Sequence, residues 1–193
     1  AHAVINPNRQ DDISGFGYLC AAGVVMILVA TVNKLLRAKG WYSPARPEPN
    51  MLQWLELVAL ATVCDVVPLK GLNRAYVTQG LKIMSRRENL GLAMLSDIAR
   101  LKRTPDVYAL GYVLGPRLNA GGRIGHADLA LELLTTRDKG RANQLAQELE
   151  QPPRLAAGRA QVQVGDPHRA HAQPRRVVAR VVRQVPVHAP HAP

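Results

Sequence analysis

MLQWLELVALATVCDVVPL, Met51 to Leu69, is a helix that is made to stop. Leu52, Leu55, Val58, Ala59 and Thr62 recur at helical spacing, so Met51 to Thr62 reads as a buried helix, with Gln53 and Glu56 elsewhere on its wheel. Cys64-Asp65-Val66-Val67-Pro68 cannot continue it, because the residue before a proline is pushed out of the helical region. Asp65 is therefore expected at a change of element, where a short carboxylate can point into a cleft. A carboxylate so placed suits a metal ligand, and hard oxygen donors favour manganese or magnesium. A helix cap or a salt bridge is the structural alternative. One aspartate does not make a two-metal site, and the body of the chain offers only His2 and His126 as histidines, neither at ligand spacing.

Further along lies GPRLNAGGRIG, Gly115 to Gly125. Gly121, Gly122 and Gly125 permit backbone paths that other residues resist, so the segment reads as a glycine-rich loop with amides open to an anion. Arg117 and Arg123 can each grip phosphate oxygens through two donors, and Asn119 can donate to a phosphate or fix the loop. The alternative is a structural turn whose arginines pair with Glu132 or Asp128. A nucleotide-binding P-loop is excluded, since its lysine and following hydroxyl are missing. A metal-binding carboxylate and a phosphate-gripping loop together suggest metal-assisted chemistry on a phosphate ester.

Around these two segments the chain is mostly helical in pattern. Ala3 to Ile5 reads as a short strand ended by Asn6-Pro7-Asn8, where Asn6 and Arg9 serve either a turn or a passing substrate. Leu19 to Lys39 reads as a long helix, apolar over most of its surface, expected to be buried on more than one side and closed by Gly40. Asn73 to Arg86, Leu90 to Arg100, His126 to Leu134 and Lys139 to Glu150 read as further helices, with Asp106 to Leu114 leading into the loop. Trp41 and Trp54 read as packing residues, His126 as a surface or first-turn residue. Cys64 reads as a small, unreactive apolar residue, since no adjacent histidine would activate it. No internal repeat or sustained heptad is present. The fold class expected is α/β: helix-rich, as the latter part of a domain whose other strands lie elsewhere.

The chain has 193 residues, 47% of them hydrophobic, 4% aromatic, and a net charge of +11. Residues 151–193 hold seven arginines and one aspartate, so the body is only modestly basic, which suits a polyanionic partner or simply a cationic surface. Two cysteines without a CxxC pattern, and no signal peptide, point to a reduced, cytoplasmic setting. The uncharged run Tyr18 to Val32 is fifteen residues long, short of the roughly 18–20 that span a bilayer, so a buried helix is expected there.

Both ends look unnatural. The chain opens on Ala1, already within the expected strand, as the interior of a longer protein would. Of the last 43 residues, 39 are Ala, Val, Pro, Arg, His or Gln, all with codons rich in G and C. Residues 151–193 are read as a low-complexity disordered tail, out of frame with the rest. The alternative is a natural Pro/Arg-rich tail.

AVINPNR at the start, LVALATVCDVVPL in the middle and GYVLGPRLNAGGRIGHADLALELL further on closely resemble the bacterial RecJ family. Its members are single-stranded-DNA-specific exonucleases of the DHH phosphoesterase superfamily. The resemblance covers about residues 1–150 and is specific in motif order and spacing. It implies that residues 1–86 end a DHH phosphoesterase domain, and that 87–150 form a helical connecting region bearing the glycine/arginine loop. It implies dependence on Mn2+ or Mg2+, single-stranded DNA as partner, no membrane, no small-molecule cofactor, and a role in recombination and repair. By resemblance Asp65 matches the last metal-binding aspartate, and Arg117, Asn119 and Arg123 match residues near the DNA phosphates. The family usually carries Ala where Cys64 stands, and often Ala where Gly121 stands.

The family's earlier aspartate motifs and Asp-His-His triplet have no counterpart here. The expectation is a fragment of a 5′-3′ exonuclease, inactive alone. Three rivals are a non-catalytic nucleic-acid-binding module, another DHH-superfamily phosphodiesterase, and a product with no stable fold.

Overall fold

Apolar residues at helical spacing become seven α-helices among the described residues, 3–123 and 128–150 of this computed structural model. They are α1 (Ala21–Ala38), α2 (Leu55–Cys64), α3 (Gly71–Met84), α4 (Leu90–Ile98), α5 (Gly115–Arg123), α6 (Asp128–Thr135) and α7 (Lys139–Glu150). A 3-10 turn, Met51–Trp54, leads into α2, and a π-helical stretch, Ala109–Leu114, runs directly into α5. Short polar side chains start several of these elements by accepting amide hydrogens that have no partner in a first turn. Asn89 Oδ1 accepts from the Leu92 amide (3.0 Å), Asp106 Oδ1 from Ala109 (2.8 Å) and Asp138 Oδ1 from Arg141 (2.6 Å).

The core is built from α4, the π-helical stretch, α6 and α7, where Leu92, Leu95, Leu110, Leu114, Leu133 and Leu145 are buried. Each such leucine contributes about 1.5–3 kcal/mol relative to exposure. Beside it α2 and α3 lie against each other at close range, with Val58, Ala59, Leu60 and Val77 between them and neighbouring elements. Gly80 makes that approach possible: a Cβ there would collide with the Leu55 carbonyl and the Ala59 methyl.

Two expectations are corrected here. No strand forms among the described residues; Ala3 to Ile5 is unpaired, with Val4 and Ile5 exposed, and only an isolated bridge joins Ser43 to Arg46. A strand needs a neighbour for its backbone donors and acceptors, and the described residues supply none. What they establish is a helix-rich fold. The second correction concerns α1, which buries only Gly23 and Asn33 and leaves Val25, Leu28, Val32 and Leu35 exposed.

With 18 residues and a mean hydropathy of 1.6, α1 is long and apolar enough to cross a membrane by length and composition. Its C-terminal half nevertheless carries a polar network. Asn33 Nδ2 donates to Glu48 (2.7 Å), Tyr42 hydroxyl donates to Asn33, and Arg37 Nε donates to Glu48 (3.0 Å). Arg37, and with it Asn33, holds the Glu48 carboxyl down to about 2.

Candidate functional site

Three features converge where α2 ends. Cys64 closes α2, Asp65 follows as its C-cap residue, and Val66 turns the chain away with φ 54°. A β-branched residue in the left-handed region is a strained choice. The turn is held from below: Asn73, fully buried in α3, donates from Nδ2 both to the Pro68 carbonyl (2.9 Å) and to the Tyr18 carbonyl (2.9 Å). The chain around Asp65 is thus pinned between α3 and the loop that precedes α1.

Asp65 caps α2 through its backbone; its side chain is exposed and makes no ion pair or cap bond among the described residues. Its place at a helix C-terminus is electrostatically poor for a carboxylate, because the last carbonyls already carry partial negative charge. Carboxylate and carbonyls together favour a cation. They do not complete a metal centre: among the described residues no three His, Cys, Asp or Glu side chains come together. Two-metal chemistry does not fit the residues described here.

Against the end of α2 lies the start of α5. A Cβ on Gly115 would stand 2.5 Å from Cys64 Sγ, so only glycine admits the sulfur at that spot. The Cys64 thiol in turn reaches the Leu110 carbonyl at 3.7 Å. Burial, and next the Asp65 charge, push that thiol's pKa up, in keeping with an unreactive cysteine.

The GPRLNAGGR segment is a correction. It is helical from Gly115 to Arg123, not a loop, and its amides are committed to the helix instead of being open to an anion. The preceding turns are wide: the Gly115 amide bonds back to the Leu110 carbonyl, five residues earlier. That widening ends one residue before Pro116, whose ring would press on the Tyr112 carbonyl in a regular α turn. The helix therefore takes up a proline without breaking, and glycine at 121 and 122 does not interrupt it.

Arg117 is half-buried and already paired. Its guanidinium binds the Glu150 carboxylate through two donors, one of them Nη2 to Oε1 at 3.1 Å, while Nη1 donates to the Val113 carbonyl at 2.8 Å. The partner is thus Glu150 of α7, not Glu132 or Asp128; Glu132 binds Arg141 instead. Arg117 lowers the pKa of Glu150, and Glu150 raises that of Arg117. Asn119 is exposed on α5. The Arg123 side chain, His126 and residues 151–193 lie outside the described residues.

Asn6 and Arg9 serve the turn: Asn6 Oδ1 accepts from the Asn8 amide (3.0 Å) and Arg9 pairs with Asp11. Trp41 packs under the Arg46 guanidinium at 3.8 Å from its ring centre. Sequence reasoning missed the exposed tyrosines just ahead of α5. Tyr108 and Tyr112 stack with ring centres 5.0 Å apart, and their four-residue spacing on a helix was the available signal.

No protein-family model matches the chain. Proteins with known functions do. The single-stranded-DNA-specific exonuclease RecJ of Salmonella typhimurium is 39% identical over 155 residues, covering 78% of this chain and 26% of that protein. RecJ of Dickeya dadantii is 38% identical over 153 residues, 78% of this chain and 27% of its own length. The chain therefore spans about a quarter of these relatives. Among solved structures, exonuclease RecJ bound to manganese matches with a TM-score of 0.62 and 32% identity, over 76% of this chain and 34% of that one. A magnesium complex of RecJ from Thermus thermophilus matches with a TM-score of 0.55 and 31% identity, over 74% of this chain and 20% of that one. In sequence and in fold, over roughly three quarters of its length, the chain is a relative of the RecJ exonucleases.

Proposed function

We propose that this chain is a segment of a RecJ-type, metal-dependent 5′-3′ exonuclease that acts on single-stranded DNA in recombination and repair, and that it has no nuclease activity alone. The observation that carries the reading is the junction of Cys64 with Gly115, which sets the Asp65 turn beside the helix bearing Arg117 and Asn119. In the whole enzyme Asp65 serves as one ligand for Mn2+ or Mg2+, the other ligands coming from outside the described residues. Arg117, Asn119 and Arg123 neutralise or hold phosphates of the strand. Residues 1–86 end the DHH phosphoesterase domain, of α/β class as a whole, and 87–150 form its helical connection; 151–193 are read out of frame and lie outside the described residues. The setting is cytoplasmic, without a membrane or a small-molecule cofactor, and α1 is a soluble helix whose outer face belongs against the rest of the domain.

The test has two parts. The purified chain with manganese and a 5′-labelled single strand is expected to release no mononucleotides; clear release contradicts the reading. In a full-length protein carrying this segment, Asp65→Asn is expected to abolish release while leaving the melting curve in place. Unchanged release by that variant removes Asp65 from the site.

A second reading, a non-catalytic single-strand-binding module, is favoured by the exposed Tyr108/Tyr112 stack, a surface on which bases could stack. Salt-dependent binding that weakens in Tyr112→Ala, without hydrolysis by the full-length protein, selects it.

A further inference from the structure

At the opposite end of α2 from Asp65 there is a cavity of about 500 Å³ that the nuclease reading does not use. It lies between the start of α2, the α3–α4 corner and the α6–α7 corner, and Trp54, Glu56, Glu88, Asn89, Thr135 and Arg137 are among the residues that line it. Glu56 is the unusual member. Its residue is only 4% exposed, and its Oε2 is buried with no hydrogen-bond partner. A buried carboxylate without a partner is costly, and mutual repulsion with Glu88 adds to that cost. On its other side Glu56 borders a void of about 10 Å³, too small for more than one water.

Two of the other polar groups of the wall are occupied. Asn89 is held by the Leu92 amide and by the Leu134 carbonyl, to which its Nδ2 donates at 3.1 Å. Thr135 hydroxyl donates to the Leu131 carbonyl at 2.8 Å. Arg137 forms no ion pair with either glutamate among the described residues. The Glu56 and Glu88 carboxylates line the space together with the Gln53 amide, beside Trp54, which is 38% exposed.

With both carboxylates ionised, two negative charges stand against the one Arg137 guanidinium and favour a cation, on a chain whose net charge is +11. A divalent metal ion would require more oxygen ligands than two glutamates give, and no third acidic, His or Cys side chain joins them among the described residues. A planar guanidinium needs fewer: two donors to one carboxylate, a third to the next, and its face or edge against an aromatic ring.

We propose that this cavity binds an alkylguanidinium group, with the Glu56 and Glu88 carboxylates as acceptors and Trp54 as the aromatic wall. The inference is independent of the nuclease reading. The group comes either from a small molecule or from an arginine side chain of a partner protein; both present the same chemistry.

The test is a titration of the full chain with agmatine, with the tripeptide Gly-Arg-Gly, and with butylurea as an uncharged control, followed by the indole N–H resonances of Trp54 and Trp41. Saturable movement of the Trp54 signal with agmatine or the peptide, but not with butylurea, is the expected result. Agmatine alone marks a small molecule, and the peptide marks a partner's arginine. Glu56→Gln keeps the shape and removes the charge, and is expected to weaken binding by roughly tenfold or more, as loss of a charged hydrogen-bond acceptor does. Glu88 is exposed, so Glu88→Gln is expected to leave the melting curve in place and to weaken binding several-fold. No saturable shift up to about 10 mM ligand, where even a weak complex would form, overturns the proposal. So does undiminished binding in both variants with unchanged melting curves.

Discussion

Cys64 Sγ occupies the place where Gly115 would carry a side chain. The sulfur lies 2.5 Å from that absent Cβ and reaches the Leu110 carbonyl, which also receives the Gly115 amide. One thiol and one missing methyl thus fasten the end of α2 to the start of α5. The proposed ligand Asp65 and the proposed phosphate-binding Arg117 hang from that joint, one residue and two residues away from it.

Gly115→Ala should destabilise the chain by about 1–3 kcal/mol, as overfilling a packed contact does. Cys64→Ala, which removes the sulfur, should restore part of that loss when the two changes are combined. Urea unfolding of the two single variants and the double variant measures the coupling. Additive losses would mean that the two residues do not press on one another.

Val66 is 88% exposed and sits at φ 54°, so its strain is set by the backbone and not by packing. Val66→Gly removes the clash of a branched Cβ with its own carbonyl, at some loss of chain entropy in the unfolded state. A net stabilisation of about 0.5–1 kcal/mol is expected. A lowered urea midpoint would show that the left-handed turn is not maintained in solution.

Glu56 makes stability depend on pH. Burial, and then the Glu88 charge, raise its carboxyl from 4.5 to about 7. The folded chain therefore holds a proton that the unfolded chain releases near 4.5. This stabilisation is fully present below that pH, is lost as pH rises towards 7, and is gone above it. The loss amounts to up to about 3 kcal/mol. Urea midpoints from pH 4.5 to 8 should fall for the native chain and stay nearly level for Glu56→Gln.

Glu150 competes with a phosphate for Arg117. Both side chains are partly exposed, so breaking the pair should change stability by no more than about 1 kcal/mol. Binding should respond more clearly. Glu150→Gln releases the guanidinium and should tighten binding to a single-stranded oligonucleotide. Arg117→Gln should weaken it and lower the salt dependence by about one counterion. Fluorescence anisotropy at several salt concentrations distinguishes these outcomes; equal affinities for all three proteins would take Arg117 out of the interface.

The residue pattern was sufficient for α3, α4 and α7, whose apolar positions repeat at helical spacing, with Asn89 and Asp138 capping the last two. It also located the stop to within two residues, at Thr62 against the observed Cys64, because Pro68 and the residues before it exclude a helix locally. It mistook Gly115 to Arg123 for a loop, since glycine and proline are local signals of irregular backbone. Wide turns ahead of Pro116, closed by the Gly115 amide on Leu110, let the helix carry both.

Glu56 lies off the apolar face of its helix by sequence, yet it is buried, because the α3–α4 and α6–α7 corners close over that side. The acids near Arg117 in sequence are Asp128 and Glu132, yet it binds Glu150 on α7, brought back by the packing of α4, α6 and the π-helical stretch. Period and capping are settled within a few residues of chain, and the sequence by itself determined them. The Cys64–Gly115 joint, the burial of Glu56 and the partner of Arg117 depend on contacts between distant segments, and only the tertiary structure decided those.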